Sequence, residues 1–97
     1  MKGVHKLTKP INFEGREITE ISYDLGKLRA RDQIQAIRTC GISKPGEMNL
    51  IPLMSNEVQA HLFAAASDQP VELILELHLP DFNEICALTL AFTTGQA

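Results

Sequence analysis

From Val4 to Phe13 the chain sets apolar side chains at Leu7, Ile11 and Phe13 with polar residues between them. That period of two predicts a strand with one buried face. Lys9 interrupts the stripe, and Pro10, which has no N–H to give to a ladder, places the strand at a sheet edge. Asn12-Phe13-Glu14-Gly15 reads as a type I turn closed by a glycine in the left-handed region. The return strand is Arg16–Asp24. There Ile21, Tyr23 and Leu25 alternate while Ile18 falls on the opposite parity, so a bulge near Thr19 or Glu20 is expected. Residues 4–25 are therefore a β-hairpin in which Pro10 and Gly15 are structural turn residues. A lone hairpin is marginal in water and must rest on helices or pair with another chain.

Beyond the hairpin the period lengthens. Residues 26–39 favour a helix with Leu28, Ile34 and Ile37 on a sparse apolar stripe, Lys27, Arg31 and Arg38 on a basic face, and Gly41 as its stop. Residues 40–49 carry Gly41, Ser43, Pro45 and Gly46 and read as a loop. Over 50–66 the positions Leu50, Leu53, Met54, Val58, His61, Leu62 and Ala65 step by three and four, a helical stripe that admits Pro52 only in its first turn or else begins at a Ser55 cap. Ser67-Asp68-Gln69-Pro70 breaks the chain. Residues 70–79 are a short helix or a strand: alternation over Val71–Leu79 favours a strand, whereas a helix would set Glu72 and Glu76 opposite Val71, Ile74 and Leu75.

The final helix, residues 82–94, begins at what resembles a capping box, Asp81 with Glu84, and stops at Gly95. Ile85, Cys86, Ala87, Leu88, Leu90, Ala91 and Phe92 occupy nearly its whole circumference. A helix apolar on every side must be covered on every side, and a small domain can cover one broad face. The remainder predicts a partner or self-association surface at Ile85, Leu88, Leu90 and Phe92. The fold class expected is α+β, mainly α, an N-terminal β-hairpin followed by three to four short helices in a single domain, 1–97.

Composition changes this picture little. The 97 residues are 44% hydrophobic and 22% charged, ordinary for one globular domain with a modest core. The longest apolar run is far too short to cross a bilayer, and MKGVHKLTKP lacks the apolar core of a secretory signal, so a cytoplasmic location is expected. Cys40 and Cys86 form no CxxC pair and read as free thiols. Charge changes it more. The net charge is −3, but all nine lysines and arginines stand at or before Lys44, against five acids there (+4), and seven acids follow (−7). A chain so divided suits head-to-tail association or a partner of mixed charge.

Candidate chemistry is thin. His5, His61 and His78 show no metal-ligand spacing, and His61, on an apolar stripe, reads as a core histidine. Neither cysteine has the electropositive setting of a nucleophile. Glu72, Glu76, Asp81 and Glu84 lack the alternating ligands and glycine of a calcium loop and read as a solvated acidic face. No phosphate-cradling glycine loop occurs. The expectation is a protein that is not an enzyme, with no metal and no cofactor. Lys27, Arg29, Arg31 and Arg38 keep a nucleic-acid-binding regulator in view, although the acidic total, the single Tyr23 and the missing helix-turn-helix glycine pattern count against nucleic acid.

The hairpin's L-x-x-P-I-x-x-x-G (Leu7, Pro10, Ile11, Gly15) with Ile18, Ile21 and Tyr23, and the closing Leu77, Pro80, Asp81, Phe82, Ile85 and Phe92, resemble in order and spacing the small tail assembly chaperones of contractile-tailed bacteriophages and prophages. The likeness spans nearly the whole chain except Thr39 to Ser55, and departs from the family at Asp24, where a basic residue is expected. It implies helix over Val71–Leu77, against the alternation. It also implies a non-enzymatic role: holding the tape measure protein soluble while tail tube subunits polymerise around it. The partners so implied are the tape measure protein, the tail tube protein and a frameshifted longer form of the chain itself, with residence in the host bacterial cytoplasm and absence from the mature virion; a homo-oligomer through the last helix is expected from its apolar circumference, and no membrane partner from the short apolar runs. The alternatives are a small phage-encoded nucleic-acid-binding regulator and a structural tail subunit.

Overall fold

A computed structural model describes residues 2–40 and 55–95. Two antiparallel strands, β1 (Lys2–Phe13) and β2 (Arg16–Asp24), lead through a 3₁₀ turn (Leu25–Lys27) into four helices: α1 (Ala30–Cys40), α2 (Asn56–Ser67), α3 (Val71–Leu75) and α4 (Leu79–Thr93). The fold is α+β and mainly α, as the pattern predicts. The expected 40–49 loop, beyond Cys40, and the expected helical residues 50–54 lie outside the described residues.

The hairpin turn is tighter than expected. Phe13 pairs with Arg16 across a two-residue loop, and both Glu14 (φ 51°) and Gly15 (φ 78°) have positive φ. This is a type I′ turn, whose twist matches that of the strands, in place of a type I turn with an added glycine. The bulge lies on the other strand. Lys6 pairs with Glu20 and Ile11 with Ile18, so the four residues Leu7 to Pro10 face Thr19 alone. The bulge throws Lys9 out to solvent while Leu7 and Ile11 both stay buried, and it lets Ile18 and Ile21 face inward despite their parity. Near the open end Gly3 faces Tyr23, and a Cβ there would come within 2.5 Å of the tyrosine hydroxyl. The Tyr23 ring in turn meets Phe63 of α2, centroids 5.3 Å apart and tilted at 50°.

Helix α2 is the hub, touching α1 on one side and α3, α4 and β2 on others. Val58, Ala60, Leu62, Phe63, Ala64 and Ala66 are all buried along it, with Gln59 and Ser67 buried among them. The larger core joins Phe63 to Leu7, Ile21, Leu73, Ile74 and Ile85; a smaller one joins Val58 and Leu62 to Ala36, with Leu28 and Ile37 packed on it. Ile34, expected on the inner stripe of α1, is 50% exposed; Ala36, Ile37 and Cys40 form the packed face instead. His61, expected in the core, is only half-buried and lines a shallow groove with Asp32 and Thr39.

Ser55 is the N-cap of α2, though its hydroxyl makes no capping bond, and Asp68 ends the helix in the left-handed region. α3 is helical because Leu73, Ile74 and Leu77 are buried together: adjacent inward residues fit a helix, whereas a strand would send them to opposite faces. No helix among the described residues is long and apolar enough to cross a membrane.

Candidate functional site: the exposed face and polar pin of helix α4

α4 begins three residues earlier than expected. His78 is its N-cap and Pro80 lies in the first turn, where the missing N–H and fixed φ of proline do no harm. Asp81 is therefore inside the helix and is no capping residue, and it does not belong to a solvated acidic face, being 0% exposed. Its carboxylate crosses to the bulge of β1. Oδ1 accepts from the Thr8 N–H at 3.0 Å and Oδ2 from the Thr8 hydroxyl at 3.1 Å and the Lys9 N–H at 3.4 Å, while His5 Nε2 lies 3.3 Å from Oδ1. The bulge explains this arrangement. Lifted out of regular pairing with β2, the amides of Thr8 and Lys9 need another acceptor, and Asp81 supplies it. Burial raises the Asp81 carboxyl, but the amides of Thr8 and Lys9, the Thr8 hydroxyl and His5 together outweigh it and hold the group below its ordinary value.

The inner arc of α4 carries Asp81, Ile85, Cys86 and Thr89, all buried. Ile85, expected to be a partner-binding residue, is fully enclosed in the larger core and cannot meet a partner in this conformation. The other three expected residues, Leu88, Leu90 and Phe92, are half-buried. Leu88 leans on the larger core. Phe92 lines a cleft of about 170 Å³ with Leu28, Arg29, Gln33 and Leu62, so it borders the same space as residues of α1 and α2. At 3.6 residues per turn the outer arc holds Pro80, Asn83, Glu84, Ala87 and Ala91, of which Ala91 is half-covered and the rest are exposed. Leu79 and Leu90 border this arc on one side and Leu88 on the other. Leu79 is 68% exposed, and Leu75, across the short turn before α4, is 57% exposed. Small residues between leucines make a shallow trough into which another helix can bring its backbone close.

The groups suggesting other chemistry are mostly engaged elsewhere. Lys27 Nζ pairs with Asp68 at 2.6 Å, and Lys27 belongs to the 3₁₀ turn, not to α1. The Arg29 guanidinium folds back on the carbonyls of Gly26 and Leu28, and the Arg29 backbone N–H donates to the Asp32 carboxylate. Both cysteines are free thiols. Burial pushes Cys86 up to about 11, and burial together with Glu57 raises Cys40, so neither is poised as a thiolate near neutral pH. Sequence reasoning missed the meeting of His5 with Asp81, for which the local spacing of either residue gave no signal. The chain matches no family model, no curated protein and no solved structure.

Proposed function

We propose that this chain is a non-enzymatic tail assembly chaperone of a phage or prophage, which keeps the tape measure protein soluble in the host cytoplasm while tail tube subunits assemble around it, and which is left out of the finished virion. The reading joins the resemblance of the hairpin and closing segment to one structural observation: on the outer arc of α4, Leu79 and Ala87 are exposed and Leu88, Leu90 and Ala91 are only half-covered. Such a surface suits an amphipathic client helix bound through apolar anchors. α4 itself carries no lysine or arginine, so a basic client residue beside the apolar stripe could pair with the exposed Glu84. The same trough offers a route to homo-oligomers and to pairing with a longer form of the chain.

The test is coexpression with a helical fragment of the tape measure protein. Ala87→Arg places a long charged side chain in the middle of the trough at an exposed position, so the variant should fold as well as the parent and lose the ability to keep the fragment in the supernatant. A fragment held equally soluble by parent and variant would remove α4 from the role. Duplex DNA separates the regulator reading, since a regulator binds it with an affinity that falls steeply with salt and through exposed basic side chains of α1 such as Arg31 and Arg38. Detection of the chain in purified virions would favour a structural subunit.

A further inference from the structure

The geometry points to a binding site for a divalent transition-metal ion of the zinc class formed by His5 of β1 with Asp81 and Glu84 of α4. One ligand atom from each of the three lies within 4.8 Å of the others. The donors are an imidazole and two carboxylates, a mixed nitrogen and oxygen set of the kind zinc accepts with a fourth position left to water.

Three features distinguish this group from a chance cluster of acids. His5 Nε2 and Asp81 Oδ1 stand 3.3 Å apart, a hydrogen-bond contact that an ion could replace. Two ligand atoms about 2.0–2.1 Å from a tetrahedral zinc ion are about 3.3–3.4 Å from each other, so the pair already has the spacing of one edge of the coordination tetrahedron. Asp81 is also oriented as metal-binding carboxylates are: the Thr8 amide and hydroxyl and the Lys9 amide fix it from behind, an outer layer of hydrogen bonds that holds a ligand in place before the ion arrives. Finally, Glu84 lies one turn beyond Asp81, is exposed, and already holds a carboxylate oxygen within 4.8 Å of the other two ligand atoms. Bound there, the ion would join the hairpin to the helix whose outer arc is free.

The experiment uses the full chain, stripped with a chelator, titrated with zinc chloride by calorimetry and with cobalt(II) by visible spectroscopy. Saturation at one ion per chain is expected, with the intense visible absorption of tetrahedral cobalt and a rise in melting temperature on adding zinc. Magnesium and calcium at the same concentrations should give no saturable binding. Glu84→Gln alters an exposed residue and should leave the circular dichroism unchanged while weakening zinc at least about tenfold, the lower end of what losing even an outer partner costs. His5→Ala should weaken it as much, whereas a His61→Ala/His78→Ala double variant should bind like the parent. Absence of saturable zinc binding by the folded parent would overturn the site, and so would equal binding by the parent, Glu84→Gln and His5→Ala.

Discussion

Helices α2 and α4 are both rich in apolar residues, yet α2 is buried over most of its circumference and α4 over one arc. α2 sits between α1 on one side and the hairpin, α3 and α4 on others, and its buried residues cover about two-thirds of its circumference, Gln59 and Ser67 included, leaving Glu57 and Ala65 exposed and His61 half-buried on the remaining arc. α4 hides one arc, and it is fastened there by a carboxylate as well as by packing. The expectation of cover on nearly every side is therefore met more closely by α2 than by α4. In α4 the small residues Ala87 and Ala91 occupy the uncovered arc, where exposure costs little.

The largest expected effect tests that contrast directly. Phe63→Ala removes a fully enclosed ring that meets Tyr23 and should cost about 3–5 kcal/mol. Phe92→Ala trims a half-covered ring at the edge of a cleft and should cost about 1–2 kcal/mol. Urea midpoints of the two variants decide the matter. Equal losses would make the end of α4 core and erase the distinction.

Next comes the fastening. Asp81→Asn keeps the side chain's shape but turns an amide toward the Thr8 and Lys9 donors, and should cost about 1–3 kcal/mol. Its dependence on pH has a definite sign. The folded carboxyl titrates below its ordinary value, so its contribution is complete above the unfolded pKa of about 3.9 and disappears as pH falls through the lower folded value. In chelator-treated buffer the stability gap between parent and Asp81→Asn should be constant from neutrality down to about pH 5 and should close in the acid range. A gap that persists unchanged at the acid end would mean that charge on Asp81 has no part in holding the hairpin to α4.

The hairpin was legible in the sequence because alternation, Pro10 and Gly15 are local signals. Its bulge was assigned to the wrong strand because the parity of Ile18 reports a slip in pairing without saying which strand carries the extra residues; only the pairing of Lys6 and Ile11 decides it. The central place of α2 was hidden because Ala60, Ala64, Gln59 and Ser67 are small or polar, and their burial follows from the neighbours they meet, not from their own hydrophobicity. Asp81 looked like a cap because Glu84 follows it by three. Its actual partners lie more than 70 residues away in β1, beyond the reach of any local pattern. Among the expected surface residues, Leu88 and Leu90 do border the open arc, while Ile85 fell inside because circumference alone cannot say which arc of a helix faces the core.

Gly15→Val extends the test to the element that α4 holds. The glycine has φ 78°, and an added Cβ would meet no atom within 4 Å, so any loss is backbone strain alone. A β-branched residue resists the left-handed region, and a cost of at least about 1 kcal/mol is expected. The loss should show in thermal melting and be unchanged in an Asp81→Asn background, because turn and fastening share no partner. Strong coupling between the two would mean that the hairpin folds only when α4 is present to hold it.

The smallest effect on stability falls at Leu79. Its side chain is more than two-thirds exposed at the first turn of α4, so Leu79→Gln should change stability by no more than about 0.5 kcal/mol in either direction. Under the proposed role its effect on a bound client helix should be much larger, because an apolar anchor at the edge of a trough contributes only when a partner covers it. The ratio of the two effects is the useful quantity. Loss of client solubility with unchanged melting would place Leu79 on the working surface beside Ala87. Unchanged solubility with unchanged melting would make it an ordinary exposed leucine, of the kind folded proteins carry without consequence, and would confine the working surface to the arc between Leu88 and Leu90.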